Sequence, residues 1–374
     1  MVIRGNLKID NFPTVILANT LRNPIIEVWL LCLEKAGARV VLLVDANPNE
    51  IVFLPKQFHN QVVFLSEGSD WKIKCETILL GSMPQSIFLW WGLANIPLLN
   101  IVEVWPSARR ILCVDTFPNA SRPLTEFKES FLALFRIRTI DSIIVTSMQM
   151  ENMLKLRFSK LLRKVSFHTV YSPFLLESHS DCLLPVKNKD SRFVFTGTTE
   201  YFLDDRKSMR KDNLDTFFRS YIDEGCEIHI REPSDPKLAK KLASSGYSFY
   251  PDMPRDTFID GRFSAFLTSF AGHFVTYNID NRTISRRVRN GLSSRWSVAL
   301  TANTPILVPP QADFALDFFS LFPIGMPIKD DPRRTLSSLS ENAQFFRDNW
   351  SSMHHLWSGE RNENTLRSAL SGNL

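Results

Sequence analysis

Glycine is scarce in this sequence, and its cysteines form no pattern. The 374 residues contain 14 glycines against 21 prolines, so a glycine-rich phosphate loop is not the main ligand-binding device. The 5 cysteines lie far apart, with no Cys-x-x-Cys pair and no metal-ligand spacing. Scattered, unpaired cysteines are typical of reduced core residues, so we expect a cytoplasmic protein without disulfides.

Long apolar runs are also missing. Near the start, the run Val15–Ala18 is too short for the apolar core of a signal peptide. The stretch Ile87–Val102 is interrupted by glycine, asparagine and proline, whereas a membrane-spanning helix needs about 20 mostly apolar residues. We therefore predict a buried strand at Ile87–Trp91 instead of a span.

Basic and acidic residues nearly balance, with a mild excess of basic ones. The formal net charge is +5, with 44% hydrophobic and 22% charged residues, which excludes wholesale disorder. A small positive excess suits an anionic partner such as a nucleotide, a polyphosphate or a lipid headgroup. No basic and aromatic residues interleave on a predicted sheet face, so we expect no nucleic-acid partner.

Short apolar runs alternate with helical patterns along the whole chain. The first unit is a run at Thr14–Ala18, a helix stopped by Gly37 and a second run at Arg39–Asp45, which together predict a parallel βαβ unit. Further runs predict strands throughout, including one at Thr77–Leu80. The fold class that follows is α/β, with two Rossmann-like doubly wound parallel-sheet domains facing a cleft.

Composition also predicts the domain limits. A polar stretch of little periodicity suggests a linker at 177–191, between an N-terminal domain at 1–176 and a C-terminal domain at 192–332. The remainder, 333–374, is helical, and we expect its helices to return toward the first domain. In open α/β sheets, ligands bind outside the carboxyl ends of the strands, so we expect the site in the cleft.

A basic segment precedes one predicted helix of the second domain. Arginines cluster in SRRVRNGLSSRW, and Ser293 or Ser294 is positioned to cap a helix at Ser293–Ala302. The free N–H groups of a helix start carry about half a positive charge, so the segment suits a phosphate. The alternative is a solvated basic loop. The candidate phosphate ligands from this region are Arg287, Arg289, Ser293, Ser294, Arg295 and, at a predicted strand end, Asn278.

These motifs resemble the retaining glycosyltransferases of the GT-B fold. Their nucleotide-sugar helix reads R-F-x-E-A-L-A-x-G-T-P before I-L-V, and Ser293–Pro309 reads SSRWSVALTANTPILVP. Phe195-Thr196-Gly197 is similar to the opening of their donor domain, and Tyr247–Met253 to the strand and turn that meet the base. Ser142–Ser147, with Tyr171-Ser172-Pro173-Phe174, is similar to the last strands of their acceptor domain.

The resemblance implies a function and a set of site residues. It implies transfer of a sugar from a nucleoside-diphosphate sugar to a carbohydrate or lipid-linked carbohydrate, with no metal and no cofactor beyond the donor itself. Cations would stabilise the diphosphate leaving group. Besides the residues named above, the donor site would include Gly197, Thr198, Arg206 and, at the base, Pro251, Asp252 and Met253.

The sequence also departs from that family. No acid stands near Ser297, where the family has a glutamate; Asn303 replaces a glycine; the paired glutamates are missing; and Asn19-Thr20-Leu21-Arg22 replaces a glycine-rich loop. These departures keep two alternatives open. One is a non-catalytic protein that binds a nucleotide sugar or glycan, and the other is a nucleotide-sugar epimerase of the same fold.

Three further interpretations concern single residues and one helix. Asp115, after the strand Arg110–Val114, is a candidate base for the acceptor hydroxyl, or else an ordinary turn aspartate. We expect His168, His229 and His273 to be satisfied core residues. The predicted helix Met148–Lys164 has an apolar and a basic face, which suits either packing on a sheet or peripheral contact with an anionic membrane at its inner face.

Overall fold

The computed structural model contains two parallel β-sheets, each flanked by helices. It describes residues 12–22, 25–68, 70–89, 98, 100, 103–114, 137–171, 191–197, 199, 214–251, 253, 261–276, 289 and 293–372. The strands of the first sheet are β1 Phe12–Ala18, β2 Ala38–Val44, β3 Val62–Phe64, β4 Ser86–Leu89, β5 Arg109–Val114, β6 Ser142–Val145 and β7 Ser166–Thr169. The strands of the second are β8 Arg192–Phe195, β9 Glu227–Arg231, β10 Ser248–Tyr250, β11 Gly272–Phe274, β12 Ile306–Val308 and β13 Gly325–Pro327.

Helices connect most of these strands. In chain order they are α1 Ile25–Lys35, α2 Trp71–Ile78, α3 Met148–Arg157, α4 Leu214–Asp223, α5 Pro236–Ser244, α6 Arg262–Leu267, α7 Ser293–Ala299, α8 Asp313–Leu321, α9 Pro332–Met353 and α10 Glu360–Ser371. Short 3-10 helices lie at Pro48–Phe53, Lys56–Gln61, Leu65–Glu67, Ile137–Thr139 and His354–Leu356.

Both sheets are doubly wound, which confirms the predicted fold class. The strand orders are β3-β2-β1-β4-β5-β6-β7 and β10-β9-β8-β11-β12-β13, and every pairing is parallel. Each order reverses direction once, between β1 and β4 in the first sheet and between β8 and β11 in the second. Such a reversal is a topological switch point, where α/β sheets leave a crevice for a ligand.

The continuous apolar runs become strands because both faces of each sheet are covered. In β1, Ile16 and Ala18 join the apolar cluster on the α1 side, while Val15 and Leu17 join the cluster on the opposite side. Successive side chains of a strand point to opposite faces, so a strand buried on both faces must be apolar throughout.

Two predicted elements of the first domain differ from the structure in type or length. The segment predicted as a strand at Thr77–Leu80 instead contains the end of α2, and Leu80 leaves that helix with a φ of 57°. The helix predicted over Met148–Lys164 ends at Arg157. Leu154 of this helix, and Phe158 and Leu162 just after it, are buried in the apolar cluster of the first sheet, so the helix packs on the sheet, while Leu156 is exposed.

The C-terminal helix α10 lies on the first sheet. It contacts α1, β5, β6 and β7. The Arg109 side chain donates from Nε to the carbonyl of Ala369 over 2.8 Å, and the Arg367 Nε donates to the carbonyl of Ala36 over 3.2 Å. A cation near the end of a helix also complements the partial negative charge of its last carbonyls. The first predicted boundary and most of the linker lie outside the described residues, so the domain limits stay predictions.

Among the described helices, none combines the length and the apolar character that crossing a bilayer requires.

Candidate functional site

The switch point of the second sheet brings together polar residues that are distant in sequence. Thr196 and Gly197 follow β8, Thr276 lies just beyond β11, and Arg295 is in the first turn of α7. Parallel strands place their carboxyl ends at one edge of the sheet, and the next helix begins at that edge. The candidate site is built from these four residues together with His273 of β11.

Arg295 is held by two neutral groups at this edge. Its Nη1 donates to the carbonyl of Thr276 over 3.0 Å, and its guanidinium carbon lies 4.9 Å from the centre of the Phe195 ring. A guanidinium over an aromatic face gains about 0.5–2 kcal/mol, depending on its exposure. Arg295 therefore lies beside the end of β8, and its binding of phosphate stays a prediction.

Gly197 allows this close approach. A Cβ atom at Gly197 would lie 2.6 Å from the Arg295 guanidinium carbon and 2.2 Å from Cζ of Phe195. Side-chain carbons do not approach so closely, so any larger residue must displace a neighbour. The glycine predicted to open the donor domain is therefore required here by packing between β8 and α7.

A buried histidine lies directly beside these groups. His273 is fully buried, and its Nε2 lies 2.9 Å from the hydroxyl of Thr196. Burial, with a smaller contribution from the Arg295 charge, lowers the pKa of His273 to about 3, so the imidazole is neutral at pH 7. His273 and His229 are buried as expected, but Nδ1 of His273 has no hydrogen-bond partner among the described residues, and His168 is only half-buried.

The helix that carries Arg295 is shorter than predicted. It covers only Ser293–Ala299 and is anchored by Trp296, which is 1% exposed and packs against Phe314 and Phe318. Ser293 and Ser294 are helical and their side chains lie outside the described ones, so their capping of the helix stays a prediction. Among the described residues of this helix, Arg295 is the one that carries a full charge to the candidate site.

The predicted base-binding turn follows β10. The hydroxyl of Tyr250, the last residue of β10, donates to the carbonyl of Phe195 over 3.4 Å, which ties this turn to the end of β8. Pro251 is exposed, and Met253 is half-buried against the apolar cluster that contains Tyr250. These placements leave Pro251 available to a ligand and give Met253 a packing role.

The remaining predicted site residues lie partly inside and partly outside the described part of the chain. Arg289 is described and exposed. Ser293 and Ser294 are the first two residues of α7, and their side chains are not described. The candidates that lie outside the described residues are Asp115, Thr198, Arg206, Asp252, Asn278 and Arg287.

The corresponding edge of the first sheet carries a carboxylate that sequence reasoning missed. Glu50 accepts hydrogen bonds from the backbone N–H of Leu21 over 3.0 Å, the Thr20 hydroxyl over 2.9 Å and Arg22 Nε over 3.1 Å. The Leu21 N–H, followed by weaker contributions from Thr20 and Arg22, lowers the pKa of Glu50. The loop that replaces a glycine-rich loop is therefore occupied by a carboxylate from its own chain.

An open cavity lies elsewhere, between β7 and the start of α10. It has a volume of about 1110 Å³, and its lining includes His168, Tyr171 and Glu360 but none of the predicted site residues. Burial and the charge of Arg109 lower the pKa of His168, against an opposing effect of Glu151. Within the described ranges, no group of three or more His, Cys, Asp and Glu side chains is arranged to hold a metal ion.

Three solved structures are similar to this chain along nearly its whole length. A glycosyltransferase from Rickettsia africae ESF-5 is 8% identical, with 98% of this chain and 100% of the other covered and a TM-score of 0.58. HepE (Alr3699) from Anabaena, in complex with UDP, is 9% identical, with 96% and 98% covered and a TM-score of 0.59. UGT2 from Phytolacca americana, with UDP-2-fluoro-glucose and pterostilbene, is 9% identical, with 97% and 99% covered and a TM-score of 0.53.

No protein-family model and no curated protein sequence matches the chain. The structural neighbours are glycosyltransferases of the GT-B type, so the resemblance read from the sequence is confirmed at the level of the fold. At 8–9% identity, the likeness shows the GT-B fold and no more.

Proposed function

We propose that this chain is a glycosyltransferase that uses a nucleoside-diphosphate sugar as donor and a carbohydrate or lipid-linked carbohydrate as acceptor. The donor diphosphate binds at the carboxyl ends of β8 and β11, against Arg295 and the turn at Gly197. The observation that carries the proposal is the position of the Arg295 guanidinium at the switch point of a GT-B fold, 4.9 Å from the Phe195 ring centre.

The chemistry of the reaction supports this assignment. When the glycosidic bond to the diphosphate breaks, negative charge develops on the leaving phosphate oxygen. A cation that is already in place lowers the barrier, because it needs no reorganisation during the reaction. Arg295 is in place before the ligand binds, since a ring and a carbonyl of the protein fix its orientation. No metal ion is needed in this scheme.

Nucleotide binding is the first test. Thermal unfolding of the full chain is measured with UDP, GDP, ADP, CMP and dTDP, beginning with UDP because the Anabaena and Phytolacca structures contain it or a UDP-sugar. A ligand at 100 times its Kd stabilises by about 2.7 kcal/mol. Arg295→Ala should abolish the shift, while Arg334→Ala, which removes an exposed arginine of α9, should not. The proposed position of the diphosphate site is refuted if none of the five nucleotides raises the Tm, or if Arg295→Ala shows the same rise in Tm as the unmodified chain.

Turnover is the second test. Release of nucleoside diphosphate from the matching nucleotide sugar is followed with and without a panel of glycan and lipid-linked glycan acceptors, in the presence of EDTA. Asp115, which follows β5 in the sequence, is the proposed base for the acceptor hydroxyl. Asp115→Asn should lower kcat by about 10²–10⁴-fold and leave nucleotide binding unchanged. Unchanged turnover in that variant removes Asp115 from the mechanism.

One observation favours a second candidate function, binding without transfer. Ser297 is 2% exposed, and a neutral hydroxyl occupies the part of α7 where the resemblance would have a glutamate. A protein that lacks this carboxylate could retain the diphosphate site and lose catalysis. Saturable binding of nucleotide and nucleotide sugar, with no product from any acceptor, would favour this second function over the first.

A further inference from the structure

The buried histidine beside the candidate site, His273, has a hydrogen-bond partner within the described part of the chain for only one of its two ring nitrogens. His273 is 0% exposed, and its Nδ1 has no hydrogen-bond partner among the described residues. Its Nε2 contacts the Thr196 hydroxyl over 2.9 Å. Strand pairing explains the contact, because His273 is opposite Val194, and Thr196 lies two residues further along the same face.

The protonation state of His273 follows from its surroundings. Its imidazole is neutral, so one ring nitrogen carries a proton and the other only a lone pair. A buried N–H without an acceptor costs more free energy than a buried lone pair without a donor, and it is found more rarely in folded proteins. The proton is therefore on Nε2, where the Thr196 hydroxyl accepts it.

This tautomer fixes the direction of the next hydrogen bond. A threonine hydroxyl has one proton to donate. When Thr196 accepts from Nε2, its own proton is left for another acceptor. Thr196 is half-buried, and no other described residue hydrogen-bonds to its hydroxyl. The next residue, Gly197, lies against the guanidinium of Arg295, which has no acceptor atom to offer.

We propose that His273 is a positioning residue that directs the Thr196 hydroxyl as a hydrogen-bond donor to a phosphate group bound beside Arg295. The inference rests on the proposed function, which puts a diphosphate at this edge, and adds two residues that it did not include. The neutral imidazole turns the hydroxyl outward without adding charge, and the hydroxyl proton joins the arginine in facing an anion. Thr196 contacts the ligand, and His273 acts through it.

The test compares two replacements of His273 that differ in where they can donate. The side-chain N–H of glutamine can reach the position of Nε2, whereas that of asparagine reaches only the position of Nδ1. Binding of UDP and of inorganic pyrophosphate to the full chain is measured by calorimetry. We expect Thr196→Val and His273→Asn each to weaken binding by about 10–100-fold, as for a hydrogen bond to a charged group. We expect His273→Gln to restore most of the affinity.

Two further measurements separate positioning from folding. The double variant Thr196→Val/His273→Asn should bind no more weakly than Thr196→Val alone, because both remove one interaction. In the unmodified chain, ¹⁵N-histidine NMR should show His273 with its proton on Nε2 from pH 5 to pH 8. The signal is assigned by its loss in His273→Gln. A proton on Nδ1 overturns the inference whatever the variants do.

The outcomes distinguish this inference from the proposed function. If UDP binds and either Thr196→Val or His273→Asn leaves its affinity unchanged, the inference is wrong and the proposed function stands. If pyrophosphate binds with the predicted dependence while no nucleotide binds, the inference stands and the proposed function falls. If neither probe binds the unmodified chain, both are wrong.

Discussion

Replacing Gly197 with alanine is a sharp test of the packing at the candidate site. The added methyl group would lie 2.6 Å from the Arg295 guanidinium carbon and 2.2 Å from Cζ of Phe195. The Phe195 ring is fully buried and packs edge-on against Phe218 at 5.3 Å, so it has little room to move. Arg295 is only half-buried, and we expect its guanidinium to be the group that is displaced.

The expected loss of stability follows from the contacts that this displacement of Arg295 breaks. Arg295 would lose its 3.0 Å hydrogen bond to Thr276 and its contact with the Phe195 ring. A hydrogen bond from a charged group contributes about 1.5–3 kcal/mol, a cation–π contact about 0.5–2 kcal/mol, and water replaces part of both. Overpacking typically costs 1–3 kcal/mol. We expect a loss of about 2 kcal/mol in unfolding free energy, or roughly 4–8 °C in Tm if a domain of about 150–250 residues unfolds as one unit.

The assay is thermal unfolding combined with nucleotide binding, and Gly272→Ala is the matched control. A Cβ atom at Gly272 would lie 3.0 Å from the Phe193 ring and 3.3 Å from Leu307, which is also tight. Gly272 begins β11, at the opposite edge of the sheet from Arg295. The control should lose stability and keep its nucleotide affinity, whereas Gly197→Ala should lose about tenfold or more in affinity as the cation moves away. If Gly197→Ala retains both its Tm and its affinity, the packing argument is refuted.

Three further changes test other parts of the structure. Arg109→Met removes the hydrogen bond to Ala369 and should speed amide exchange in α10, by about tenfold or more, while α9 is unaffected. The lowered pKa of Glu50 stabilises the fold above the ordinary glutamate pKa, and this stabilisation is lost as the pH falls. Glu50→Gln should therefore flatten the pH dependence of the unfolding free energy between about pH 5 and pH 3. The pKa of His273 is lowered from 6.5 to about 3, so the stability that the neutral imidazole gives is fully present above pH 6.5 and is lost as the pH falls toward 3. Denaturant titrations at several pH values should show that the unfolding free energy of His273→Gln falls less steeply in this range.

The fold could be predicted because parallel strands buried on both faces leave a clear trace in the sequence. The runs predicted as strands at Thr14–Ala18 and Arg39–Asp45 differ from β1 and β2 by at most two residues at either end. The error at Thr77–Leu80 has a physical reason. Four apolar residues do not distinguish a buried strand from the end of a helix, and α2 begins after Asp70 without a side-chain capping bond that could have marked its start.

The candidate site could be predicted only in part. The resemblance to the GT-B donor domain put Gly197 and Arg295 in one predicted site, and the structure places the two residues in contact range. The contact between Thr196 and His273 joins residues 77 apart, and it depends on the register between β8 and β11. The contact of Glu50 with Thr20 likewise joins residues 30 apart. Neither register nor loop closure is encoded in local spacing, so these partners had no signal in the sequence.

The two switch points differ in charge, and the difference assigns the proposed ligands to the two sheets. In the first sheet, the Glu50 carboxylate already accepts the backbone N–H of Leu21, in the loop between β1 and α1. A phosphate there would have to displace one anion and approach its negative charge, which is unfavourable at such short range. In the second sheet, the corresponding edge carries the Arg295 cation and a neutral His273. The proposed diphosphate donor is therefore better suited to the ends of β8 and β11, and the proposed acceptor, an uncharged hydroxyl, to the first sheet.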